Sequence, residues 1–361
     1  MSTTGSVKAL VRDVCAHALC QTGATDPGLR LHHRLSIITF HRVLTASQRQ
    51  DYPLPGLAVT PEELDWHLGY FTRHFRCVSL ARARALWAER HVKGAPLLAV
   101  TFDDGQLDNY LNALPVLERH GVTATFFVPS QVLEDQRPLW YDQLATALRQ
   151  LCTCIDPAAG QKGGAIGSEA LHLLGELQTE QGTPRTPGPV DIASALEFTK
   201  AWTSSRREDW MRRARTLVPD PARASWDGFM SVDQLKTLAT RGHEIGSHSH
   251  SHPILPQCPD DMLLDEVAGS KQRLESALGL TIESFCYPNG STDGRTIDLV
   301  RRSGYQAAVT TEWGSNAVGA DPLRLRRFDM NARNAQDRKG RLSQARLAWR
   351  MSGLHPGLGR G

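Results

Sequence analysis

Two adjacent carboxylates and a run of three histidines are the residues of this sequence best suited to chemistry. Thr101-Phe102-Asp103-Asp104-Gly105 follows an apolar run, Leu97-Leu98-Ala99-Val100, and precedes a helical pattern that begins near Leu107. His248-Ser249-His250-Ser251-His252 follows a second β-like stretch, Gly242-His243-Glu244-Ile245-Gly246-Ser247. Side chains alternate along a strand, so neighbouring acids at a strand's C-terminal end point in different directions. One can bind a cation while the other does different work. His248 and His252 are spaced to converge on one ion across a turn, and imidazole plus carboxylate with an open position suits a catalytic zinc. His250, between them, reads as exposed or as a support for the ligands. In isolation an Asp-Asp-Gly is a turn and a His-rich pentamer a solvated loop. The two belong together because each follows an apolar strand in a chain of alternating strands and helices.

The elements that must position these residues follow that alternation. A β-like run over 35–40 ends at His41. The spacing predicts a helix over 108–120 closed by Gly121, a buried strand over 124–129, and helices over 233–241, 260–278 and 296–303 before a strand over 305–310. Strands alternating with helices give an α/β protein built on a parallel sheet or barrel.

Thr101 to Gly105, Gly242 to Pro253 and Phe285-Cys286-Tyr287-Pro288-Asn289-Gly290, in that order, resemble the first three motifs of the NodB-type polysaccharide deacetylases, carbohydrate esterase family 4. The similarity runs from about Leu35 to Met330. It implies an irregular (β/α) barrel and metal-dependent hydrolysis of an N-acetyl group on a sugar. It also implies Asp104, His248 and His252 as metal ligands and Asp103 as catalytic base. An amide is a poor electrophile, so a cation must polarise its carbonyl and acidify a bound water, and a base beside that cation stays ionised at neutral pH. Tyr287 and Asn289 are expected at the substrate, with a backbone N–H near Tyr287 facing the developing oxyanion.

The chain departs from the family pattern twice. Many members carry a base-orienting arginine in the third motif, where this sequence has Cys286. Arg327, in Leu323-Arg324-Leu325-Arg326-Arg327-Phe328, is the candidate replacement, although that segment also reads as a solvated basic edge strand. The late Leu-x-His motif that supplies an acid is absent. His41-Arg42-Val43 resembles the early segment that provides the histidine in rearranged members, which makes His41 the candidate general acid; a histidine at a strand end is equally a satisfied polar residue.

At 361 residues, 40% hydrophobic and 22% charged, the chain can fill a barrel core with residues to spare. The expected organisation is an N-terminal helical extension over 1–34, a barrel over 35–330 interrupted by an insertion at about 135–228, and a basic tail over 331–361. In the insertion, a helix starts at Trp140, 156–190 reads as loop, and 191–217 reads as helical, suggesting a cap over one barrel face. Trp202 and Trp210 are expected in its core, with stacking on sugar rings as the lesser reading.

Seven cysteines, an odd number without a Cys-x-x-Cys spacing, require no disulfide. Residues 7–20 have no uninterrupted apolar core, so the expected location is the cytoplasm and the expected substrate an N-acylated amino sugar or oligosaccharide, carrier-linked in a precursor. From Leu323 to the end, ten basic residues face two acidic ones, a net +8 against +3 for the whole chain. The 341–350 stretch could lie on an anionic membrane at the inner face, with Leu and Trp inward, or pack on the barrel. The charge is local and no nucleic-acid motif accompanies it. The same residues would also serve hydrolysis of another non-peptide C–N bond, or persist in a catalytically weak saccharide-binding relative.

Overall fold

The computed structural model describes residues 3–88, 94–155, 165–177, 191–331 and 333–355. Seven parallel strands close into a barrel: β1 (Arg34–Phe40), β2 (Leu97–Phe102), β3 (Ala124–Val128), β4 (Glu244–Ser247), β5 (Ser284–Cys286), β6 (Ala307–Trp313) and β7 (Leu325–Asp329). Each pairs with the next, and β1 pairs with both β2 and β7, which closes the ring. Closure leaves these strands no free edge.

Alternation along the strands sorts the barrel interior by height. Leu35 and Ile37, Leu97 and Ala99, Phe127, Ala307 and Val309, and Leu325 form one buried cluster with Leu80, Ala83 and Trp87 of the helix Leu80–Ala88. Two residues further along the same faces come Thr39, Thr101 and then Asp103, and Arg327, so the interior changes from apolar to polar toward the strands' C-terminal ends. Phe40, Phe102 and Phe126 have the opposite parity. They stack on one another, with ring centroids 5.6 and 5.1 Å apart. Each buried phenylalanine contributes about 1.5–3 kcal/mol of apolar burial. On β4, Gly246 is required because an added Cβ would meet the Phe127 ring at 2.6 Å.

The register sets the strand ends level. Thr39 lies opposite Thr101 and Asp329, Phe102 opposite Phe126, and Val128 opposite Ser247. Residues that follow strands, His41, Asp103 and His248, therefore stand on one rim, where parallel barrels carry their chemistry.

Several elements differ from the sequence expectation. The helix predicted over 108–120 is a π turn, Asn109–Ala113, followed by an α-helix, Leu114–Arg119. Pro115 has no N–H to donate and widens the turn before it. Within 156–190, read as loop, Ala165–Glu176 is an α-helix; its helix-forming Ala, Leu and Glu were masked by the Gly- and Pro-rich sequence on either side. Residues 156–164 and 178–190 lie outside the described residues.

Residues 50–55 and 137–225 form a second compact unit. It contains the helices Trp140–Ile155, Ala165–Glu176, Ile192–Thr199 and Ser204–Leu217 and buries Leu144, Leu148, Leu173 and Trp210 on them and Trp202 between the last two. Trp210 Nε1 donates to Leu173 O at 3.2 Å. Both tryptophans are core residues.

At the chain ends, helix Thr3–Gln21 packs through Ala16 and Leu19 on Ala345 and Trp349 of helix Gln344–Met351. Leu347 and Trp349 are buried. The apolar side on which the tail's membrane reading depended is therefore occupied inside the protein. No helix among the described residues is long and apolar enough to cross a membrane.

Candidate active site

The barrel rim brings Asp103, Asp104, His248, His252, Arg327 and His41 into one cluster. Asp103 leaves β2 with its amide donating to Phe40 O and its carboxylate inside the barrel. Arg327, on β7, meets it with two parallel bonds: Nη1 to Oδ1 and Nη2 to Oδ2, both 2.8 Å. Arg327 also donates from Nε to Thr310 O at 2.8 Å, and from Nη1 to Thr39 Oγ1 at 2.9 Å and to Thr101 Oγ1 at 3.3 Å. This basic residue is buried at 1% exposure and belongs to the barrel interior, not to a solvated edge. Burial pushes the Asp103 carboxyl up, but the Arg327 charge and its bonds outweigh burial and hold the group below its ordinary value.

His41 Nε2 lies 3.9 Å from Asp103 Oδ2, with the His41 side chain 22% exposed. Its backbone is fixed from behind. Asn109 Nδ2 donates to His41 O at 2.9 Å, and Asp108 accepts from Val43 N and from Arg42 Nε, both at 2.6 Å.

Asp104 turns away from its neighbour because its own backbone is left-handed, φ +74°. Its Oδ1 lies 3.4 Å from His248 Nε2 and 3.5 Å from His252 Nε2. His248 Nδ1 lies 2.7 Å from Cys286 O. A carbonyl only accepts, so Nδ1 carries the hydrogen and the neutral ring's lone pair sits on Nε2, toward Asp104. Burial and the neighbouring His248 push His252 down to about 3. Burial opposes charge on His248, but the Cys286 sulfur and the Asp104 and Asp103 carboxylates outweigh it and push that group well up.

Could these residues hold a cation? The ligand atoms of Asp104, His248 and His252 lie within 4.8 Å of one another, and all three residues are buried. Two imidazoles and a carboxylate are donors that a zinc-like ion accepts. Asp103, His248 and Cys286 form a second group of the same size, but both Asp103 oxygens are already engaged by Arg327. The first set is the one that fits.

The polysaccharide deacetylase family profile matches residues 91–151 and 206–308. Over these two stretches, which include Asp103, Asp104, His248 and His252, the chain is similar to the polysaccharide deacetylases, consistent with the NodB-type resemblance of its motifs. Chitin deacetylase 1 of Cryptococcus neoformans is 28% identical over 91 residues, 25% of this chain and 19% of that protein. YxkH of Bacillus subtilis (strain 168) is 19% identical over 283 residues, 78% of this chain and 66% of YxkH. The chain thus spans less than two thirds of the length of these relatives. The structure of the Streptococcus pyogenes deacetylase PplD in complex with acetate superposes with a TM-score of 0.53 at 16% identity, covering 83% of this chain and 94% of PplD. That likeness is one of fold.

Within the deacetylase pattern, Tyr287 departs from its expected place. Its amide donates to Val309 O at 3.1 Å, its hydroxyl to Leu323 O at 3.0 Å, and it is 0% exposed. The third motif is drawn into the sheet here, so Tyr287 offers neither group to a substrate. Asn289 is left-handed, φ +56°, and its Nδ2 is buried without a hydrogen-bond partner among the described residues.

Sequence reading missed Glu266. Its Oε2 accepts the amides of His250 and Ser251, each at 2.8 Å, in a loop where Ser249 and His252 are both left-handed, φ +65° and +59°. Nothing in the helical pattern over 260–278 marked this carboxylate. His250 is not in the ligand group; its Nδ1 lies 2.8 Å from Ser130 Oγ.

Proposed function

We propose that the protein is a metal-dependent hydrolase that removes an N-acyl group, most simply acetyl, from an amino sugar or oligosaccharide in polysaccharide or glycan-precursor metabolism. The observation that carries this reading is the arginine-clamped, ionised Asp103 beside the buried Asp104–His248–His252 group. Asp104, His248 and His252 hold the cation, zinc by donor chemistry; when bound, it supplies polarisation of the acyl carbonyl and acidification of water.

Asp103 takes the proton from the attacking water as its oxygen bonds to the carbonyl carbon. Arg327 keeps that carboxylate ionised and fixes its direction. As the carbon–nitrogen bond breaks, His41 gives a proton to the departing amine, and acetate is released. Asn289, half-buried at the turn of the third motif, is the residue assigned to contact with the saccharide.

The test is acetate release by metal-reconstituted protein from N-acetylated oligosaccharides and carrier-linked amino sugars, with Asp104→Ala as the control. Release that disappears in the control supports the reading. Silence across the panel with cation bound overturns it in favour of another C–N bond or a binding role.

A further inference from the structure

On helix Gln344–Met351 the buried side-chain polar atoms without a hydrogen-bond partner are all donors: Arg346 Nε and Nη1, Trp349 Nε1 and Arg350 Nε. Arg346 is 9% exposed. Its ion pair is with Asp13, whose Oδ1 lies 3.7 Å from Nε, too far for a hydrogen bond. Arg350 is four residues on and so beside Arg346 on one helix face. It is half-buried over the Trp313 ring, 4.9 Å from the centroid, with no hydrogen bond or ion pair among the described residues. Arg12 stands one turn before Ala16, which packs on Ala345 and Trp349, and it too has no hydrogen bond or ion pair among the described residues.

These guanidiniums act on one another. Burial and Arg12 push Arg346 down, outweighing Asp13 and Asp337. Burial, Arg346 and Arg12 push Arg350 down, outweighing Asp329. Burial and the same three arginines take His355, its ring 4.5 Å from that of Trp349, down to about 4. The nearby acids are engaged elsewhere: Asp337 by Arg341 Nε and Nη2 at 3.0 and 2.9 Å, Asp13 Oδ2 by the Arg338 amide at 3.0 Å, and Asp329 Oδ2 by Asn331 Nδ2 at 3.3 Å. Charges drawn out of water are ordinarily paired, yet here the protein bonds no carboxylate to Arg12 or Arg350.

The group borders the barrel rim. Trp313 ends β6, opposite Arg327 of β7 in the register, and its ring meets that of Phe328 at 5.3 Å. Asp329, at the end of β7, acts on both Arg350 and Arg327. A donor-only set is answered by an acceptor-only group, and guanidinium forks match carboxylate and phosphate. A carboxylate brings two oxygens, and the two already nearby, Asp13 and Asp329, leave Arg12 and Arg350 unbonded. A phosphoryl group brings three acceptor oxygens and up to two charges.

We propose that Arg12, Arg346 and Arg350 form an oxyanion site for a phosphoryl or diphosphoryl group. The same chemistry is offered by a diphosphate borne on the saccharide and by a free ion. Binding at this site does not rest on the proposed hydrolysis.

The test is isothermal titration calorimetry of the full chain with inorganic pyrophosphate and with a nucleoside-diphosphate-linked N-acetylated amino sugar. Tighter binding of the sugar diphosphate assigns the oxyanion to the substrate; binding of pyrophosphate as tight or tighter assigns it to a free ion. Arg350→Gln and Arg12→Gln are each expected to weaken binding by about 10- to 100-fold. Without ligand both should unfold at the parent's temperature, because neither arginine has an acid to leave unpaired. Pyrophosphate should raise the unfolding temperature of the parent more than that of either variant. No heat with either ligand overturns the proposal. Undiminished binding in both variants also overturns it, placing the anion elsewhere on the chain.

Discussion

Arg327 meets Asp103 across 224 residues of chain, with both Nη atoms 2.8 Å from the two carboxylate oxygens and neither side chain more than 3% exposed. A buried pair of this kind has excellent geometry and several supporting bonds, the condition under which mutual attraction offsets desolvation. Removing one partner leaves the other charged and alone. Arg327→Ala is therefore expected to destabilise the fold by about 3–5 kcal/mol in urea unfolding. Arg327→Lys keeps the charge but not the fork, so it should fold with kcat reduced on the order of 10- to 100-fold. A lysine variant with wild-type kcat would show that the fork does not orient the base.

Asp103→Asn is expected to retain bound cation and lose about 10²–10⁴ in kcat. The pH dependence of the parent has a definite sign. Because the folded Asp103 pKa is depressed, its contribution to stability is present above the unfolded carboxylate value of about 3.9 and is lost as pH falls through the folded value. Base catalysis by this group should persist through the neutral range, since the carboxylate is ionised there. An acid limb of kcat/KM near neutrality that survives saturating cation would place the essential base elsewhere.

His41→Gln should slow turnover with cation content and Tm little changed, because His41 is not one of the Asp104–His248–His252 group and its ring is partly open to solvent. If the histidine protonates the leaving amine, substrates with better leaving groups should lose less rate in the variant. Equal loss for every leaving group would reduce His41 to a packing residue.

The barrel was legible in the sequence because its strands are apolar on both faces and carry their polar residues only at one end, as in Leu97 to Asp103. The carboxylates are contiguous and the histidines fall within five residues, so their grouping needed no knowledge of the fold. Arg327 was harder: inside Leu323-Arg324-Leu325-Arg326-Arg327-Phe328 nothing distinguishes an inward arginine from an outward one until the register against β1 and β6 is known. Tyr287 failed for the reverse reason. Its motif position suggested the site, whereas pairing with Val309 turned its amide into the sheet. The helix Ala165–Glu176 was lost because a composition averaged over 156–190 followed its Gly, Pro, Thr and Ser.

Cation affinity should rise with pH. In the cation-free site the surroundings of His248 favour its protonated form, so an ion must displace that proton. Affinity should increase by about tenfold per pH unit up to the folded pKa of His248 and level off above it. Competition titrations with a chelator at several pH values, with proton release recorded alongside, measure this. A pH-independent affinity with no proton released would remove His248 from the ligand set.

Glu266 provides the last test, because it acts on the ligands without belonging to them. Two consecutive amides of the histidine loop, His250 and Ser251, end on one of its carboxylate oxygens, and they lie between two residues, Ser249 and His252, held at positive φ. Non-glycine residues in that region cost of order 1 kcal/mol or more each and persist only where the surroundings impose them. Without the carboxylate, the loop should relax toward ordinary backbone and His252 should leave its place opposite Asp104. Glu266→Gln retains one acceptor oxygen and should lose little; Glu266→Ala should weaken cation binding on the order of 10- to 100-fold, with activity recovered at high cation concentration. Such recovery separates a positioning role from a fold defect, since excess ion cannot restore a chain that has lost its core. An alanine variant whose cation affinity matches wild type would mean that the loop's remaining bonds, to Val128, Ser130, Gln131 and Cys286 and from His252 to Ser249, hold its conformation without Glu266.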